Sequence, residues 1–116
     1  MSNIPFEKID WNIIPKIEFP GENGSSFSQT IEFEGLRIRI VEYQNGFLAN
    51  HWCKKGHIVH CLQGEFIIKL ENGDEKNFNQ GTSFVVSDNL SSHLSISESG
   101  AKLLIIDGDF LKNKIV

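Results

Sequence analysis

From residue 44 onward, turn-forming clusters punctuate the chain: QNG at 44–46, KKG at 54–56, LQG at 62–64, ENGD at 71–74, NQG at 79–81, SDN at 87–89, ESG at 98–100 and DGD at 107–109. A spacing of about 8–12 residues leaves room for a short strand between turns and for little else, which is the pattern of an all-β sandwich or barrel. The intervening segments agree. LRIRIVEY (36–43) alternates Leu36, Ile38 and Ile40 with Arg37 and Arg39. EFIIKLE (65–71), TSFVVS (82–87), HLSIS (93–97) and KLLIID (102–107) are short and rich in β-branched or aromatic residues. No segment after residue 35 sustains a helical period. A length of 116 residues suits one domain, and no internal repeat or low-complexity tract divides it.

The first residues differ in character. All three prolines, Pro5, Pro15 and Pro20, fall there, and proline disfavours helix interiors and central strands. Residues 1–26 therefore read as an extended arm with apolar anchors at Phe6, Ile9, Trp11, Ile13 and Ile14, packing on its own barrel or on a partner's. Residues 27–116 read as the barrel, with FSQTIEFEG (27–35) as its first regular strand.

Residues 51–61, HWCKKGHIVHC, hold three of the four histidines and both cysteines. Read as a hairpin closed by Lys54-Lys55-Gly56, the segment sets Cys53 opposite His57. Alternation then puts His51, Cys53, His57 and Cys61 on one face and Trp52, Ile58 and His60 on the other. Cys53 and Cys61 lie about four rows apart, roughly 13 Å, too far for a disulfide. That argues against a redox pair and leaves a metal site or a polar-lined interior. His93, at the start of HLSIS, is the one further imidazole a later strand could bring over the same face. Imidazoles with a thiolate suit zinc, iron, nickel or copper.

The formal net charge is −4 with no basic stripe, which argues against nucleic acid, since phosphate neutralisation needs clustered Lys and Arg. No apolar run approaches the roughly 20 residues of a membrane span, and MSNIPFEKIDW lacks the pattern of a signal peptide. The expected location is the cytoplasm, with the two cysteines as free thiols or metal ligands.

The spacing of these residues resembles the cupin superfamily. In its first motif, Gly46, His51-Trp52-Cys53, His57 and Gly64 follow the family order, with Cys53 standing for a second histidine and His57 for a glutamate. In its second, Gly81 leads through Ser87-Asp88-Asn89 to His93, without the usual proline and glycine. ANHWCKKGHIVHCLQGE, VSDNLSSH, KLLIIDGDFLK and the arm PFEKIDWNIIPK together look like the small DHCW-motif group of cupin-fold proteins, in which Asp usually stands at the position of Asn50. The resemblance implies a single-domain cupin (double-stranded β-helix, or jelly-roll) barrel, a homodimer, and a divalent metal on His51, Cys53, His57 and His93. Zinc comes first, with iron, nickel or manganese as alternatives. It implies no particular reaction.

Two functional classes follow. One is a metal-dependent enzyme, of dioxygenase or isomerase type, with a position open to a small molecule. The other is a non-catalytic metal-binding or redox-sensing module, with zinc closed by four ligands. A metal-free barrel binding an acidic small molecule ranks last. Among the remaining residues, Arg37 and Arg39 read as the solvated face of an edge strand, with anion recognition inside the barrel as the alternative. Asn50 is expected to face away from the ligands, His60 to be structural or at a subunit contact, and Cys61 to be in the core or near the ligands. Phe47, Phe66, Phe78, Phe84 and Phe110 read as core. No general acid or base stands out.

Overall fold

The computed structural model describes residues 3–113. A 3₁₀ turn (Trp11–Ile13), capped by the Asp10 side chain on the Asn12 amide, precedes nine strands. They are β1 (Ile17–Pro20), β2 (Ser25–Phe33), β3 (Leu36–Tyr43), β4 (Phe47–Leu48), β5 (His57–Leu70), β6 (Glu75–Asn79), β7 (Ser83–Val86), β8 (His93–Ser97) and β9 (Ala101–Gly108). All pairings are antiparallel. One sheet runs β1-β2-β3-β9-β5-β7 and the other β4-β8-β5-β6, so β5 belongs to both.

The turn at 62–64 expected from LQG is instead the bend that lets β5 change sheets. Its register against β9 shifts between Cys61 and Gln63, and Gly64 lies at φ 75°. A bulge with a left-handed glycine turns a strand without ending it. A Cβ on Gly64 would collide with the backbone oxygen of Gly100, so only glycine fits there.

The hairpin expected across residues 51–61 does not form. β4 pairs with β8 in one sheet, whereas His57–His60 pair with β7 in the other. Residues 49–56 are an irregular crossing between sheets, and Cys53 forms an isolated bridge with His93. The first strand is also earlier than expected. β1 lies within the proline-rich segment and pairs with the start of β2, which an edge strand allows because its free side needs no donor from Pro20.

The core fills the space between the sheets: Val41, Val59, Cys61, Phe66, Ile68, Ala101, Leu103 and Ile105, with Tyr43, Leu70, Phe78 and Phe84 packed against them. Phe66 and Phe78 stack, and Phe78 meets Phe84. Phe110 is not core. The 3₁₀ turn at Asp109–Leu111 buries Leu111 and leaves Phe110 57% exposed. Among the described residues, no helix is long and apolar enough to cross a membrane.

Candidate metal centre

At one end of the barrel the core gives way to polar groups. His57 opens β5 and His93 opens β8, and both are buried. Cys53 arrives from the crossing segment. Its N–H donates to the His93 carbonyl (2.8 Å) and its carbonyl accepts from the His93 N–H (3.0 Å). The loop before β8 holds this segment down. Asp88 Oδ1 accepts from the Gly56 amide (2.6 Å), and the Asn89 amide donates to the Lys54 carbonyl (2.8 Å). Any Cβ on Gly56 would press on the backbone of Val86 and Ser87, so this close approach also depends on glycine.

Cys53 Sγ lies 3.5 Å from His57 Nε2, and one donor atom each from Cys53, His57 and His93 fall within 4.8 Å of one another. A tetrahedral zinc with ordinary Zn–S and Zn–N lengths would set sulfur and nitrogen about 3.6 Å apart. The donor set therefore fits an ion of that kind in both chemistry and spacing.

The tautomers agree. His57 Nδ1 is 3.1 Å from Asp107 Oδ2, and His93 Nδ1 is 3.1 Å from the Ser91 carbonyl. Both oxygens only accept, so each Nδ1 carries a proton and donates it, and Nε2 is the atom left for the cavity, where it can share a proton with the Cys53 sulfur or give its lone pair to an ion. Ligating histidines are commonly oriented in this way through the other ring nitrogen. Asp107 is itself held by Arg37, which donates Nε to Oδ1 and Nη2 to Oδ2 (both 3.0 Å), and by Arg39 Nη2 on Oδ2 (3.2 Å). Burial works to raise the Asp107 pKa, but the two guanidiniums and His57 bring it below the usual carboxylate value.

Burial likewise works to raise the Cys53 thiol, but hydrogen bonding with His57 and His93 carries it down to about 5. For His93, burial opposes the charged form, while Cys53 and the Ser91 carbonyl outweigh it and raise the pKa. A thiolate is thus available at neutral pH, as metal ligation requires.

Four expected ligands thus take two kinds of place. Cys53, His57 and His93 converge. His51 is exposed at the mouth of the same cavity and is not part of the compact group. Asn50, expected to face away, touches His51. Asn50 Nδ2 donates to the Pro20 carbonyl (3.1 Å), which turns Oδ1 toward His51 Nδ1 (2.7 Å). The alternation argument does not hold there because residues 49–56 are not a regular strand. His60 lies on the outer face against Ser83 Oγ (2.7 Å), Cys61 is wholly buried in the core, and both cysteines are free.

Arg37 and Arg39 correct an expectation. β3 is not an edge strand, since it pairs with both β2 and β9, and its inward side chains include Arg37 and Arg39. DGD reads as a turn, so its spacing does not mark Asp107. The signal for it is the period-two run Ala101, Leu103, Ile105, Asp107 along β9, all four of which the structure buries.

No protein-family model and no curated protein matches the chain. Solved structures do. An RmlC-like cupin from Shewanella frigidimarina shares 16% identity at a TM-score of 0.68, over 92% of each chain. A predicted oxalate decarboxylase from Thermotoga maritima gives 13% and 0.73 over 88% of this chain and 99% of that one. Ectoine synthase from P. lautus gives 16% and 0.72, over 89% and 78%. With two curled antiparallel sheets closing over an inward-facing Cys/His group, this chain has the cupin fold.

Proposed function

We propose that this protein binds one divalent metal ion, zinc foremost, through Cys53, His57 and His93, and uses it on a small molecule admitted beside the ion. The observation that carries this reading is the convergence of three donor atoms within 4.8 Å, with the Nδ1 of each imidazole tied to an acceptor. Three protein ligands leave a coordination position free, which activation of water or substrate needs. A bound ion would supply a Lewis acid. The chain's own residues fix the lone pairs, hold the thiolate and shape a cavity of about 260 Å³. Similarity to structures named as a synthase and a decarboxylase supports an enzyme, of lyase, isomerase or oxygen-dependent type.

The second reading is a closed zinc site in a sensing or structural module. It is supported by His51, whose Nδ1–H on Asn50 leaves Nε2 free to become a fourth ligand. Elemental mass spectrometry of tag-free protein separates the two. Near-stoichiometric metal kept in His51→Ala but lost in Cys53→Ser and His57→Ala supports the open site. Loss in His51→Ala as well supports the closed one. Absence of metal after reconstitution would sink both.

Membership of the DHCW-motif group, a cytoplasmic location suited to free thiols, and a homodimer belong to the same proposal. The dimer is supported by the apolar row across the outer face, where Ile31, Ile38, Ile106, Ile58 and Val85 are successive cross-strand partners, and by the full exposure of Phe6 on the arm.

A further inference from the structure

The cluster behind His57 does not balance. Arg37 and Arg39 bring two positive charges to the single carboxylate of Asp107, which is 3% exposed. Arg37 engages both oxygens, so Arg39 is left with one contact, on the Oδ2 that His57 and Arg37 already share. Arg39 Nε is buried with no hydrogen-bond partner, and it is the one buried side-chain polar atom so placed among the described residues. Buried polar atoms are nearly always satisfied, and such an exception calls for a cause. Burial and the neighbouring Arg37 both press against the Arg39 charge, yet a guanidinium keeps its proton. A cation there also works against a divalent ion beside His57, since the Cys53 thiolate offsets only one of the ion's two charges.

Arg39 lines the same cavity as Cys53, His57 and His93, together with Tyr43 and Ser28. Burial raises the Tyr43 pKa, so its hydroxyl stays a donor. Apolar side chains, Val41, Val59 and Ile105 among them, also line it. The cavity, about 260 Å³, has room for a small organic molecule.

We propose that the cavity takes a small aliphatic carboxylate, whose charge is met by Arg39 and whose chain lies along the apolar wall beside the metal group. The inference rests on the proposed function in one respect: the metal position is the second anchor. A planar carboxylate suits the guanidinium fork, and the apolar part of the wall suits an aliphatic chain, which inorganic phosphate lacks.

The test is calorimetry on zinc-reconstituted protein with butyrate, its neutral isostere butyramide and inorganic phosphate, repeated on Arg39→Gln and Arg39→Lys. The expected result is butyrate binding at least tenfold tighter than butyramide or phosphate, and weakened at least tenfold in Arg39→Gln with zinc content unchanged. Arg39→Lys, keeping the charge without the fork, should fall between. Equal binding of butyrate and butyramide to the wild type overturns the proposal whether or not the variants fold, and tighter phosphate binding overturns the carboxylate class. The underlying metal reading fails separately. Protein that refuses zinc but binds butyrate through Arg39 loses the ion and keeps the carboxylate, while zinc-loaded protein blind to the difference does the reverse.

Discussion

Asp107 Oδ2 accepts from Arg37, Arg39 and His57, so one substitution there is felt twice. Asp107→Asn keeps the shape but removes the charge that two guanidiniums face. Metal affinity should fall 10- to 100-fold in a chelator competition, because the His57 lone pair loses its orienting partner. Stability should fall by about 3 kcal/mol in urea, the low end for a broken buried pair because both arginines remain partly exposed. Cys53 gives a pH prediction. Its folded pKa, about 5, is below the ordinary thiol value of 9.0, so the thiolate's contribution to stability is fully present above 9 and is lost as pH falls through about 5. Metal should leave the protein over the acid end of that window. In metal-free protein, alkylation by iodoacetamide should be flat from pH 7 to 9. A rate climbing across that range would mean an ordinary thiol. Cys61, buried and shifted upward, should stay unmodified until the protein unfolds. At this scale the candidate donors are readable, because Cys and His stand out in any sequence. Their partners are not, because Asp107, Arg37 and Arg39 are unremarkable until strand pairing brings residues about seventy positions apart into contact.

β3 and β8 could be read residue for residue from LRIRIVEY and HLSIS. The errors arose where one local signal serves two structures. A glycine at positive φ closes a hairpin and also builds a bulge, and nothing near Gly64 says which, since its partner is the backbone at Gly100. Lys54-Lys55-Gly56 likewise resembles a hairpin turn, yet the strands beside it join different sheets. Cys53 and His57 meet all the same, through the bridge to His93 and not through a shared hairpin. Gly64→Ala tests the bulge. With left-handed backbone and a collision on Gly100, it should cost at least about 2 kcal/mol by chemical denaturation. A loss within experimental scatter would mean that β5 has another way to bend.

For the whole molecule, the turn spacing announced the all-β class, but which face of each strand is inward was settled only by closure of the barrel. Closure leaves the outer row from Ile31 to Val85 partly exposed, Val85 most of all. If a second copy covers it, light scattering after gel filtration should give twice the 13.1 kDa chain mass, and Ile38→Lys should give the monomer while keeping its metal. A monomeric wild type would end that idea. The two halves of the candidate metal group also differ in how they are fastened. His57 starts a strand that both sheets share and is braced by Asp107, whereas Cys53 and His51 ride on the irregular crossing at 49–56. An ion would therefore sit between a strand of the barrel and a segment that is irregular but pinned, at Cys53 to His93 and at Lys54 and Gly56 to the loop before β8. Those pins, and not a strand ladder, set where the sulfur stands, so Asp88→Ala should loosen the grip on metal while leaving the barrel folded.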